Sequence, residues 1–348
     1  MRLSPRVIGI GAALLTVLIW SGFIVIARGS AHLHLLPLDI VFARMLGAAS
    51  VLAPWGWYLV RRQRRVALAG GPAPQESLFG LSPLPLRTTL LTGLVGGLLY
   101  PLLAYAGFYF APAAHASVLM PGSLPLWTAL LVMLALGERI PTGRLIGIGL
   151  ILLGGLCVGG QSLWLAFGGG EVWKGDLLFM CSALCWSSYA VLARHFRLDA
   201  VRGTIAITVF ATMAFTPFYL AGIALGWLPS GLSQAPLSEW LFQAFYQGML
   251  SVVVSGITFT TMVRHFGPVR STMMTSLVPA LSAFGAVIFL GEPLGWTLML
   301  GLALVTLGML FGIRSGAPAP GAAAEKPAPA TTAPPAQSIA ATAARRPA

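Results

Sequence analysis

The sequence predicts an all-α membrane protein whose ten transmembrane helices form two inverted five-helix repeats. Hydrophobic residues make up 57% of the 348 positions and charged residues only 9%. Apolar runs of about 20 residues, the length that crosses a bilayer, recur along the chain. Residues 117–156 lie over residues 271–310 without a gap at an offset of 154, and twelve of the forty positions are identical. Chance gives roughly four matches in so apolar a composition, so the two stretches are copies. The shared residues include Pro125 with Pro279, Leu136-Gly137-Glu138 with Leu290-Gly291-Glu292, Gly147 with Gly301 and Gly154 with Gly308. A second echo pairs Trp20, Ser21, Val25, Ala27 and Arg28 with Trp186, Ser187, Val191, Ala193 and Arg194. Five helices is an odd number, so the second copy enters the membrane in the opposite sense to the first.

The spans are expected at 7–28, 38–60, 88–109, 114–136, 143–161, 174–194, 203–226, 239–263, 269–290 and 294–313. Residues 7–161 then form the first repeat, residues 174–313 the second, and residues 315–348 a tail. The first span is too long for a signal-peptide core and is matched by the sixth, so it is retained. Two loops are long, 70–86 and 159–173, and neither has the look of a domain. The tail is almost entirely Ala, Pro, Thr and Gly and cannot bury enough apolar surface to fold. It reads as a disordered cytoplasmic tail.

A net charge of +12 raises the question of nucleic acid, but its location points to the bilayer instead. With the N-terminus in the cytoplasm, eighteen of the twenty-one Lys and Arg residues lie on the cytoplasmic side, Arg28 and Lys174 sit at the outer ends, and Arg44 alone lies within a span. This asymmetry places both termini in the cytoplasm by the positive-inside rule. Cys157, Cys181 and Cys185 fall in spans without metal-ligand spacing and read as buried packing residues. No H-E-x-x-H helix is present, and the five His residues lack ligand spacing. No metal, cofactor, catalytic residue or nucleic-acid partner is expected. The partners are a small-molecule substrate and the lipid bilayer, and a homodimer is left open.

Within the second span, a charge such as Arg44 costs about 3 kcal/mol at a helix centre, so Arg44 either faces a cavity or a partner, or else snorkels to the outer headgroups or pairs with a helix-end carbonyl. The run Val209-Phe210-Ala211-Thr212-Met213 resembles Val41-Phe42-Ala43-Arg44-Met45, placing Thr212 where the other repeat has the cation. The third span carries Gly93, Gly97, Tyr100, Ala104 and Gly107 on one face, a stripe that favours close helix packing. The offset of 154 puts Gln247, Ser251, Val254, Thr258 and Thr261 on the matching stripe of the eighth span. Those polar groups suit a cavity wall or interhelical bonds.

Trp20 and Trp186 lie deep in their spans, away from the interfacial belt, and either flank a central cavity or fill the bundle core. Tyr105 and Tyr189 offer hydroxyls to a polar substrate. Pro121, Pro125 and Pro279 remove backbone donors within spans and mark kinks, either static or acting as gates. Glu138 and Glu292 each precede a helix, where a carboxylate suits the helix dipole. No Asp or Glu lies mid-span, and the nearest titratable groups are Asp39 and His115 close to the outer ends. Weak or absent obligatory proton coupling is therefore expected.

With these motifs in this order twice, residues 7–313 resemble the EamA-type branch of the drug/metabolite transporter superfamily. The resemblance rests on Trp20-Ser21 with Arg28, Phe42-Ala43-Arg44, and the paired Gly137-Glu138 and Gly291-Glu292 with their following glycines. It implies a bacterial inner-membrane permease, commonly an exporter of amino acids or related metabolites. The small four-helix relatives use a Glu in their first helix, and this sequence has none there. The nucleotide-sugar and sugar-phosphate relatives use paired basic residues, whereas Arg44 is alone. The expected function is therefore secondary transport of a small polar or zwitterionic metabolite such as an amino acid, by alternating access. Efflux of lipophilic cations and a non-transport membrane scaffold are the alternatives.

Overall fold

The structure, a computed structural model, describes residues 5–31, 33–137 and 141–314. The expected disordered tail and Glu138 lie outside the described residues. The helices are α1 (Pro5–Ser30), α2 (Pro37–Leu68), α3 (Leu86–Phe110), α4 (Ala113–Leu136), α5 (Thr142–Ala166), α6 (Val172–His195), α7 (Ala200–Ala224), α8 (Leu237–Phe266), α9 (Pro268–Leu290) and α10 (Trp296–Arg314). Among the described residues nine are long and apolar enough to cross a membrane, and Trp296–Gly312 supplies a shorter apolar tenth. An even number of spans returns the chain to the face on which it began, the terminal face.

Two expected boundaries move. The α2 helix runs to Leu68 rather than 60, so Arg61, Arg62, Arg64 and Arg65 sit on two further helical turns instead of in a loop. Arg is a good helix former, and Arg61 lies over the Trp57 ring at 3.6 Å. Similarly α5 continues to Ala166, which shortens the segment joining the halves to residues 167–171. Beyond α2, Arg64 forks onto Glu76 at 2.8 and 2.6 Å and holds that carboxyl below its usual range. The contact therefore persists at neutral pH and is lost only as pH falls through the acid range. Because it is exposed, Glu76→Gln should leave thermal unfolding of the purified protein unchanged, and a clear drop would contradict that.

Packing crosses between the halves. The α1 helix packs on α8 and α9, and its counterpart α6 packs on α3 and α4; likewise α2 meets α8, and α7 meets α3. Three pairs of equivalent helices, α2 with α7, α4 with α9 and α5 with α10, pack on each other. That is the pattern of a two-fold axis lying in the membrane plane.

Glycine permits the closest approaches. A Cβ at Gly147 would lie 2.5 Å from the Gly308 carbonyl oxygen, and one at Gly154 2.6 Å from that of Gly301. Each glycine thus faces the copy of the other, and α5 and α10 meet backbone to backbone. On the far side of the bundle, a Cβ at Gly47 of α2 would lie 2.1 Å from the Ala244 oxygen of α8. The α3 glycines also serve packing: Gly93 faces Phe210, Gly97 the Ile207 carbonyl, and Gly107 the Phe179 ring.

Two helices carry a wider turn that the sequence did not announce. Residues Gly93–Leu99 of α3 and Ala244–Val254 of α8, equivalent under the offset of 154, are π-helical. The prolines behave unequally. Pro121 and Pro125 lie inside a continuous α4, whereas α9 breaks between Met274 and Val278, just ahead of Pro279. The Thr275 carbonyl, which Pro279 cannot serve, accepts from the Val278 N–H instead at 3.0 Å.

Candidate functional site

The interior has a charged part and an aromatic part on either side of Trp186. In the charged part, Arg44 is 6% exposed, so it does not snorkel. Its Nη1 donates to Ser251 Oγ at 3.1 Å and to the Gln247 carbonyl at 3.4 Å. The guanidinium lies 5.7 Å from the Phe23 ring centre. Thr212, the repeat equivalent of Arg44, donates to the Thr208 carbonyl at 2.8 Å and reaches the Met45 carbonyl of α2 at 3.5 Å. A cavity of about 30 Å³, enough for one or two waters, is lined by Arg44, Gly96, Gly97, Trp186, Thr208 and Ser251 among others. Gly96, Gly97 and Ser251 belong to the two π-helical turns, which are frequent at functional sites.

Several buried polar atoms here have no partner within the chain. Gln247 is fully buried, and neither its amide nitrogen nor its amide oxygen is bonded. The same holds for the hydroxyls of Tyr105 and Thr208 and the indole nitrogen of Trp186. Such orphans are costly unless water or a ligand meets them.

In the aromatic part, Trp20 meets Trp186 edge to face at 5.7 Å and Phe259 at 5.1 Å, while Tyr100 lies 4.8 Å from Trp186. Trp20 Nε1 donates to Ser255 Oγ at 3.2 Å. A second cavity, of about 20 Å³, is lined by Trp20, Phe23, Tyr100, Pro121 and Trp186 among others. The centre is thus closed around water-sized spaces.

Of the residues singled out in the sequence, Arg44 and Ser251 are joined directly, Gln247 lies beside them, and Trp20 packs on Trp186. Tyr105 is buried against Phe23 at 5.9 Å. Two are elsewhere. Tyr189 packs on Trp186 at 5.1 Å, but its hydroxyl pairs with Thr260 at 2.7 Å. Thr258 bonds Thr16 at 2.8 Å and lines neither central cavity, an interhelical tie rather than a wall. Sequence reasoning passed over Phe23, Thr208, Ser255 and Phe259. Ser255 was within reach, one turn beyond Ser251 on the same stripe.

The face away from the termini is held by polar ties. Glu292 takes Arg28 at 3.2 Å and the N–H groups of Ala113 and Ala114 at 3.1 Å each. It therefore caps α4 and not the helix that follows it, because the repeat packing brings the start of α4 against the end of α9. Asp39 accepts from Tyr219, from Ser230 at 2.8 Å and from the Gly231 N–H at 2.7 Å. His115 pairs with Asp176 at 2.9 Å. Asp176, in the second turn of α6, is a carboxylate that the sequence reading overlooked; it is buried and borders an apolar pocket of about 350 Å³ between α4, α5 and α6. The three cysteines are free and half-buried rather than fully buried. Among the described residues no group of His, Cys, Asp and Glu could hold a metal.

Comparison with known proteins agrees with this architecture. A solved crystal structure superposes with a TM-score of 0.54 at 22% identity, covering 89% of this chain and 96% of the other, which shows a shared fold. The uncharacterized transporter YyaM of Bacillus subtilis (strain 168) is 25% identical over 225 residues, 64% of this chain and 71% of its own length. Residues 7–160 and 173–313 both match the EamA-like transporter family. Covering most of the ten-helix bundle, that match establishes that the chain belongs to the EamA-like transporter family.

Proposed function

We propose that the chain is a secondary transporter that exports a small polar metabolite by alternating access, the two five-helix repeats rocking about the site between α2, α3, α6 and α8. The observation that carries this reading is Arg44: a buried guanidinium held only by neutral oxygens, ringed by unbonded polar atoms and bordered by aromatic faces. An intramembrane charge of this kind marks a substrate pathway. Lipophilic cations would be repelled there, which sets efflux of cationic drugs second. A scaffold has no use for orphaned polar groups at its centre. Arg44, Ser251, Gln247 and Tyr105 would recognise charge and polarity, and Trp20 and Trp186 would supply apolar walls.

The excess of Arg at the terminal face supports a cytoplasmic location for both termini in a bacterial inner membrane. The test is overexpression in bacteria, with extracellular metabolites measured beside resistance to toxic amino-acid analogues and cationic dyes. Accumulation of one polar metabolite outside the cell, lost in Arg44→Gln at equal expression, is expected. Dye resistance without metabolite release would instead favour drug efflux.

A further inference from the structure

The centre of the bundle holds, among the described residues, a fixed positive charge and no fixed negative one. Among the described residues, the carboxylates stand at helix ends or in loops and are engaged there. Asp39, Asp176, Glu239 and Glu292 are bonded at the face away from the termini, where Glu171 also meets Lys174. Glu76 and Asp199 pair with arginines at the terminal face. The acceptors that Arg44 has are a hydroxyl and a backbone carbonyl, neither of which carries charge. An anion brought to Arg44 would neutralise a buried cation and could bond the Gln247 amide and the Tyr105 hydroxyl.

We propose that the site selects an organic monoanion, a carboxylate with an apolar or aromatic body, over the matching zwitterion or amine. This rests on the transport reading above and narrows its substrate. The carboxylate would occupy the Arg44 part, and the body would lie against Trp20, Tyr100 and Trp186. An ammonium carried in beside the carboxylate would be a second buried cation. Its partners would all be neutral, the Gln247 amide oxygen, the Tyr105 and Thr208 hydroxyls and aromatic faces, which replace its hydration far less well than a carboxylate does. A site lacking the partner for one group of a ligand discriminates against ligands that bear it.

The experiment is equilibrium binding by titration calorimetry on the purified full-length protein at pH 7, using three probes that share a phenyl ring. 3-Phenylpropionate carries only the carboxylate, phenylalanine carries both charges, and phenethylamine carries only the ammonium. The expected result is a Kd for 3-phenylpropionate about tenfold below that for phenylalanine, with no binding of phenethylamine. Arg44→Gln should abolish that preference, and Arg44→Lys should keep it. Equal or tighter binding of phenylalanine, binding of the amine, no binding of any probe, or an unchanged preference in Arg44→Gln would each overturn the proposal. Should Arg44→Gln not fold, the wild-type ranking decides. Because binding is read without flux, a failure here is separate from a failure of the transport reading, which the export assay judges.

Discussion

Gly154→Leu should remove most of the folded protein from the membrane. A Cβ at this position would lie 2.6 Å from the Gly301 carbonyl oxygen and 2.7 Å from a Val305 methyl, before the rest of the leucine is added. Backbone cannot yield as a side-chain tip can, so α5 and α10 would have to separate, exposing the tightest crossing on the two-fold axis. Overpacking commonly costs about 1–3 kcal/mol, and a full side chain driven against backbone belongs at or above the top of that range. Gly149, on the same helix, has nothing within 4 Å of its Cβ position. Gly149→Leu should therefore extract and run as the wild type does, which controls for helix propensity and hydropathy. The measurement is the monodisperse fraction on size exclusion after detergent extraction. A normal Gly154→Leu profile would show that the α5–α10 contact is not structural.

Glu292→Ala should produce the next largest loss. This carboxylate answers three donors on two other segments: Arg28 at the end of α1 and the N–H groups of Ala113 and Ala114 that open α4. Arg28 also donates to the Phe108 carbonyl, at 2.8 Å. Breaking a buried pair by removing one partner costs about 3–5 kcal/mol. Side-chain exposures of 21% and 15% reduce that, while the lost helix cap adds about 1 kcal/mol. A net of about 2–3 kcal/mol is expected after discounting for solvent screening. Glu292→Gln, which retains an acceptor for the α4 N–H groups, should fall between. Thermal unfolding in detergent would check the order, and equal stability of Glu292→Ala and wild type would rule out the capping role.

Much of the architecture was legible because the bilayer makes hydropathy and helix formation nearly the same property. Ten apolar runs gave ten helices, and the repeated motifs gave their relation. Helix ends were less legible: Arg61 to Arg65 reads as a loop by charge, yet α2 continues through it, since Arg favours helix whether or not the turn lies in lipid. The π-helical turns left no mark in the residue pattern; that of α8 lies where it meets α2 at Gly47, and that of α3 where it meets α7 at Gly97.

At the site, rarity was the useful signal. Arg44 stands out in an apolar span, and so do Gln247 and Ser251. Phe23 and Phe259 do not, since an aromatic facing the centre and one facing lipid look alike in sequence. Asp176 was missed for a related reason: in the second turn of its helix it passes for an interfacial residue, and only the packing of α4 on α6 shows that it is buried. Thr258 was placed on the right stripe, but a hydroxyl in a membrane helix can as well be met by a neighbouring hydroxyl, here that of Thr16.

The contacts that α1 makes with α8 and α9 also set a timetable for biosynthesis. The end of α1 at Ser30 precedes the start of α8 at Leu237 by about 200 residues, roughly 10–40 s of ribosome travel. Throughout that interval the first helix must wait in the bilayer with those two neighbours unmade, its Thr16 hydroxyl and Trp20 indole turned toward lipid or a provisional companion. Expression of residues 1–166 alone should then yield a segment that inserts yet is degraded, and supplying residues 167–348 from a second message should rescue both pieces together.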